Sequence, residues 1–221
     1  MADTSQIRIV HLSDLHFHSP ESGDSVHRFA PLATPAGDPM ASPGHPGLMD
    51  SLWQDWASPE WASERITGHV GPLGHESVVV ALTGDLTQTA APAEFNLLDA
   101  FVTKLCQQTV FNHPITPKNI FVVPGNHDVV YGQTDVSARW QPYCTYYQRL
   151  KNHMVDPREP GALTRVIDRS DIGLIVVELN SCAYVQRGTL DAQRGHIDDR
   201  SLAALRKQLE EIDTDKREKC V

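Results

Sequence analysis

The stretch VVPGNHD, Val122 to Asp128, ends an apolar run with Pro-Gly and then presents Asn126, His127 and Asp128 in succession. A core strand has no use for three polar, ligand-capable side chains in a row, so the segment reads as a site just past a strand. Two other apolar runs end in the same manner. IRIVHL, Ile7 to Leu12, leads into SDLHF with Asp14 and His16, and SVVVAL, Ser77 to Leu82, leads into TGDLTQ with Gly84 and Asp85. In open α/β sheets ligands collect beyond the carboxyl ends of the strands. Three neighbouring strand ends would therefore bring together carboxylates, an imidazole and an amide oxygen, a donor set suited to Mn, Fe or Zn. The glycines before Asp85 and Asn126 permit sharp turns and close backbone approach.

Working outward, Asn119 to Pro124 and Ile172 to Leu179 complete the set of continuous β-branched runs. Such runs are expected of strands covered on both faces. Between the second and third runs, PAEFNLLDAFVTKLCQQ places Phe95, Leu98, Val102 and Leu105 on one helical face, with Pro92 in the first turn. SARWQPYCTYYQRLKNHM reads as a helix that Pro142 should interrupt or restart. DDRSLAALRKQLEEI carries Leu202, Leu205, Leu209 and Ile212 on one stripe behind an N-cap at Asp198 or Asp199. Strand and helix alternate, which predicts a layered α/β domain.

Two stretches fall outside that pattern. Residues 19–47 are rich in Pro, Gly and Ser and predict a long loop inserted after the first strand. It begins three residues after His16, so a substrate rim is one reading, with His18 or His27 as phosphate contacts, and a solvated loop is the other. Residues 48–70 hold three tryptophans and read as a packing helix or a flap over the site.

The chain of 221 residues is long enough for one α/β domain with a substantial core, and 40% of its residues are hydrophobic. No apolar run approaches the roughly 20 residues that span a bilayer, and the N-terminus lacks the pattern of a signal peptide. The formal charge of −9 supplies no basic footprint for nucleic acid or an anionic membrane. Cys106, Cys144, Cys182 and Cys220 fall at a regular interval, but their flanks share no pattern and no CxxC pair exists. A zinc knuckle is thereby disfavoured, and four scattered thiols fit a reducing cytoplasm.

DLH at Asp14–His16, GD at Gly84–Asp85 and GNHD at Gly125–Asp128 resemble the first three motifs of the calcineurin-like metallophosphoesterases. The resemblance implies a four-layer α/β/β/α sandwich holding two divalent metal ions. It implies that Asp14 and His16 bind one metal, that Asp85 bridges both and that Asn126 binds the second. His127 would contact the substrate phosphate and protonate the leaving oxygen, and Asp128 would orient and polarise His127. The chemistry suits these residue types: two metals clamp phosphoryl oxygens and generate a bridging hydroxide, and an imidazole is suited to proton donation near neutrality.

The family pattern also has a later lone His and a GHxH, and only His153 and His196 follow His127 here. His153 reads as a surface residue in a helix, and His196 lies in QRGHIDD before a capped helix, so neither is expected to be a ligand. DTDKREKCV reads as the approach to a further strand, beginning at about Cys220, which would carry the lone His. On this reading the 221 residues are the N-terminal portion of one domain that continues further, inactive alone. The functional expectation is a metal-dependent phosphohydrolase acting on a phosphorylated substrate. The alternatives are a degenerate phosphoesterase-like module in a larger protein, or a nuclease of the same fold. The intact set of motif residues favours catalysis.

Overall fold

The computed structural model describes residues 6–18, 76–111, 113–159, 161–185 and 194–212. The inserted loop 19–47, with His27, and the tryptophan-rich stretch 48–70 lie outside the described residues, as does Cys220.

Strands β1 (Gln6–Leu12), β2 (Glu76–Thr83) and β5 (Ile120–Val123) form a three-stranded parallel sheet in the order β1-β2-β5. Leu12 stands opposite Leu82, and Leu82 opposite Val122, so all three strands end at one level. That common level sets the site. Val78, Val79, Val80 and Leu82 of β2 are buried on both faces, as are Ile120, Phe121 and Val122 of β5. β1 departs from the expectation of two covered faces: Val10 is buried, whereas Ile9 is 64% exposed.

Helix α1 (Pro92–Cys106) buries Phe95, Leu98, Val102 and Leu105, the face its periodicity predicts. Its first turn is held by Glu94, which is fully buried and accepts from the N–H groups of Thr89 (2.8 Å) and Ala91 (3.3 Å). Short strands β3 (Thr109–Val110) and β4 (His113–Pro114) form a two-stranded antiparallel pair before β5.

Helix α2 (Val136–Lys151) opens on Asp135, whose carboxylate accepts from Ala138 N–H at 2.9 Å, and closes on Asn152 in the left-handed conformation. Pro142 does not interrupt it, contrary to the sequence expectation. A proline inside a helix costs about 3 kcal/mol. Here the same helix buries Trp140, Tyr143, Tyr146 and Tyr147 at 3% exposure or less. Each such ring returns on the order of 1.5–3 kcal/mol by leaving water, so packing outweighs the local penalty. Phe95 of α1 stacks on Tyr146 of α2, with centroids 5.7 Å apart.

The fourth predicted strand forms as β7 (Leu174–Glu178), but it pairs antiparallel with β6 (Arg165–Arg169) and lies outside the parallel sheet. Glu178 links the two sheets. Its carboxylate is buried, accepts Val122 N–H of β5 at 2.9 Å and accepts the Tyr147 hydroxyl at 2.7 Å. The Tyr143 hydroxyl donates to the Val122 carbonyl at 3.2 Å, so side chains from β7 and α2 satisfy the outer edge of β5. Helix α3 (Asp199–Glu210) is capped by Asp198, which accepts from Ser201 N–H. Its leucine stripe is only partly covered, with Leu202 46% exposed.

Candidate metal centre

Beyond Leu12 the chain leaves regular β structure but keeps its pairing with the segment after β2. Asp14 N–H donates to the Gly84 carbonyl (3.1 Å), His16 N–H to the Asp85 carbonyl (2.9 Å) and Phe17 N–H to the Leu86 carbonyl (2.9 Å). Phe17 is fully buried and anchors the segment. Asp14 and His16 adopt φ of +55° and +46°, and Asp85 adopts +48°. Left-handed backbone costs a residue with a Cβ on the order of 1 kcal/mol or more. Here the neighbouring ladder holds three such residues in register, and all three are the candidate ligands read from the sequence.

The third loop meets the second at two glycines. Gly84 donates from its N–H to the Val123 carbonyl at 3.0 Å, and a Cβ on Gly125 would lie 2.1 Å from Asp85 N. Only the absence of a side chain at Gly125 lets the loops approach this closely. The contact delivers His127 N–H to the Asp85 carboxylate at 3.0 Å.

In the result, ligand atoms of Asp14, His16 and Asp85 all lie within 4.8 Å of one another. His16 Nδ1 is buried and has no hydrogen-bond partner among the described residues. The His16 and His127 rings meet edge to face, with centroids 4.9 Å apart and planes at 80°. Asn126 lines a cavity of about 370 Å³ together with Asp14, Asp85, Ser181, Cys182 and Arg194. Its side chain is hydrogen-bonded to the Tyr131 hydroxyl.

The sequence profile of the calcineurin-like phosphoesterases matches residues 7–207. The chain belongs to the calcineurin-like phosphoesterase family. A comparison with curated proteins finds no match.

The residues of this calcineurin-like phosphoesterase fit the divalent metal that the family implies. Two carboxylates and an imidazole with ligand atoms this close together form a hard-to-borderline donor set that suits a divalent ion. Asp14, His16 and Asp85 would hold the ion, with Asn126 on the same cavity wall.

Two expectations need correction. Asp128 does not orient His127. Its carboxylate is fully buried and accepts from Gly125 N–H (2.8 Å), Leu86 N–H (3.1 Å), Thr87 N–H (2.8 Å) and the Thr87 hydroxyl (2.8 Å). Those bonds tie the loop after β2 to the loop after β5. Burial pushes the Asp128 carboxyl up to about 6, against the pull of these four donors. The His127 ring is held instead by the Gln88 carbonyl, which accepts from Nδ1 at 2.7 Å. His18 is likewise no phosphate contact: it is 5% exposed, with its ring 3.6 Å from the Glu94 carboxylate at the start of α1.

The two later histidines stand apart from the cluster. His153 is exposed just past α2, and the His196 ring packs on Tyr184 with centroids 5.2 Å apart. Burial raises the Cys182 thiol to about 11, so the cysteine on the cavity wall stays protonated near neutrality and is not a ready nucleophile. Gln88, Tyr131, Ser181 and Arg194 were not singled out in the sequence. Gln88 acts through its main chain, which has no residue signature, and Arg194 stood unremarked beside the Gly195–His196 pair.

Proposed function

We propose that this protein is a metal-dependent phosphohydrolase that cleaves a phosphate ester at a dinuclear centre of Mn, Fe or Zn held by Asp14, His16, Asp85 and Asn126. The observation that carries the reading is the convergence of ligand atoms of Asp14, His16 and Asp85 within 4.8 Å of one another. Divalent ions supply charge neutralisation of the phosphoryl oxygens and an activated water. The chain supplies the rest. Asp85 lies between the two ligand-bearing loops, which supports a bridging role. His127 has Nδ1 engaged by the Gln88 carbonyl, leaving Nε2 as the ring nitrogen for a proton delivered to the leaving oxygen. Asp128 holds the two loops at their spacing.

The same reading takes β6 and β7 as part of a second sheet in a four-layer α/β/β/α sandwich, supported by the Glu178 bond to Val122. The free thiols of Cys106, Cys144 and Cys182 support a cytoplasmic setting. Among the described residues no helix is long and apolar enough to cross a membrane.

The test is elemental analysis and hydrolysis of phosphate mono- and diesters by the full-length wild-type protein and its Asp85→Ala variant. Two metals per wild-type chain, none in the variant, and metal-dependent hydrolysis support the reading. A wild type that takes up metal yet hydrolyses none of the esters points to a phosphoesterase-like binding module. Two metals retained in the variant would refute the bridging role.

A further inference from the structure

We propose that Arg194 binds the phosphoryl group of the substrate in the metal-lined cavity. The inference rests on the phosphohydrolase reading above and adds to it the residue that recognises the anion.

Among the described residues lining the cavity, Asp14 and Asp85 are the carboxylates and Arg194 is the one cationic side chain. Metal ions bound to the carboxylates offset their charge, and a phosphoryl group that enters then needs donors of its own. A guanidinium presents a planar fork of N–H groups that matches two phosphoryl oxygens at once, and it stays charged at any working pH. Arg149, Arg158, Arg169 and Arg206 each pair with a carboxylate, on Asp99, Asp156, Asp171 and Glu210. Arg194 has no such partner among the described residues. In a chain of net charge −9, an arginine on the wall of an acidic cavity, with no carboxylate partner among the described residues, fits an anion as its partner.

Its position is built by the fold. Gly195 adopts φ of +67°, and a Cβ there would lie 3.0 Å from Ser181 Cβ and 3.1 Å from Ser181 Oγ. His196 N–H donates to the Ser181 carbonyl at 2.6 Å, and His196 forms a parallel bridge with Cys182. The segment after β7 thus clamps residues 194–196 against the cavity wall and holds Arg194 at its edge. Ser181 adds a hydroxyl on the same wall.

The test is calorimetric titration of inorganic phosphate into the Mn²⁺-loaded full chain, with metal content measured in parallel. Arg194→Ala is expected to weaken phosphate binding about 10- to 100-fold, as for loss of a charge-assisted hydrogen bond, with metal content unchanged. Arg194→Lys should recover part of the loss, since it keeps the charge and loses the fork. Arg206→Ala removes one positive charge on α3 outside the cavity and should bind phosphate as the wild type does. If Arg194→Ala also matches the wild type, or if Arg206→Ala weakens binding equally, the assignment is wrong. A wild type that takes up no metal and binds no phosphate removes the phosphohydrolase reading and this inference with it. A metal-loaded, phosphate-binding wild type matched by Arg194→Ala removes this inference alone.

Discussion

The His127 ring donates through Nδ1 to the main-chain carbonyl of Gln88 at 2.7 Å. A carbonyl only accepts, so this bond sets the proton on Nδ1 and leaves Nε2 as the ring nitrogen outside it. Because the orienting group is main chain, no substitution of a neighbouring acid removes it.

Replacing His127 by Asn or Gln should therefore leave metal content nearly intact and lower kcat about 10²- to 10⁴-fold. The loss should shrink for aryl phosphates, whose acidic leaving groups need less protonation. Rates measured across leaving groups of widely different pKa check this. Equal losses throughout would reduce His127 to a phosphate contact.

Gly125→Ala separates a steric requirement from a conformational one. The new Cβ would lie 2.1 Å from Asp85 N and 2.2 Å from Asp85 Oδ1, so the loops must part. We expect a stability loss of about 3 kcal/mol or more, together with lower metal occupancy. Gly132→Ala is the control: its φ is +80° with nothing within 4 Å, so only backbone strain of about 1 kcal/mol should follow. Thermal melts and metal analysis of both variants decide whether Asp85 depends on the close approach.

Glu178→Ala should destabilise the protein by about 2–4 kcal/mol, because it leaves the buried Val122 N–H and the Tyr147 O–H without their acceptor. Tyr147→Phe keeps the Val122 bond, removes the hydroxyl's bond to Glu178 and the bond it accepts from Arg165, and should cost about 1–2 kcal/mol. Urea unfolding of the two variants measures the difference. Equal losses would show that the bond to Val122 contributes nothing.

Lys151 gives a pH signature. Burial lowers its ammonium to about 8, with Arg165 and Arg169 pushing the same way and Glu178 opposing. Between about pH 8 and the ordinary lysine value of about 10.4, the unfolded chain holds a proton that the native chain has lost. Stability attributable to Lys151 therefore rises with pH across that window and is level below it. Lys151→Met should lack this rise. The check is the difference between wild-type and variant stability from pH 7 to 10.5, and a difference that stays flat would rule out the lowered value.

Much of the candidate site was legible because its candidate ligands follow strands whose β-branched runs are unmistakable. Asp14, His16, Asp85 and Asn126 each stand within four residues of such a run, and the parallel register of Leu12, Leu82 and Val122 carries them to one level. Less was legible where a residue's role depends on a partner distant in sequence. The family resemblance assigned Asp128 to His127, yet its carboxylate belongs to Leu86 and Thr87, more than 40 residues away in the chain. Pro142 was read by its local penalty, which the aromatic face of α2 overrides. The strand at Leu174–Glu178 was foreseen, but its antiparallel partner Arg165–Arg169, with a mixed polar sequence, had no apolar run to mark it.

What the sequence by itself determined was the kind of donor after each strand and the glycines that let the loops turn. These are local properties, set by side-chain chemistry and backbone freedom within a few residues. Only the tertiary structure decided which groups meet: the left-handed turns at Asp14, His16 and Asp85, the Gln88 carbonyl on His127 and Arg194 beside the cavity. Each of these depends on a main-chain atom or on a segment joined by a long loop. Such contacts arise from the closure of the whole chain around its core, and no local pattern of residue types encodes them.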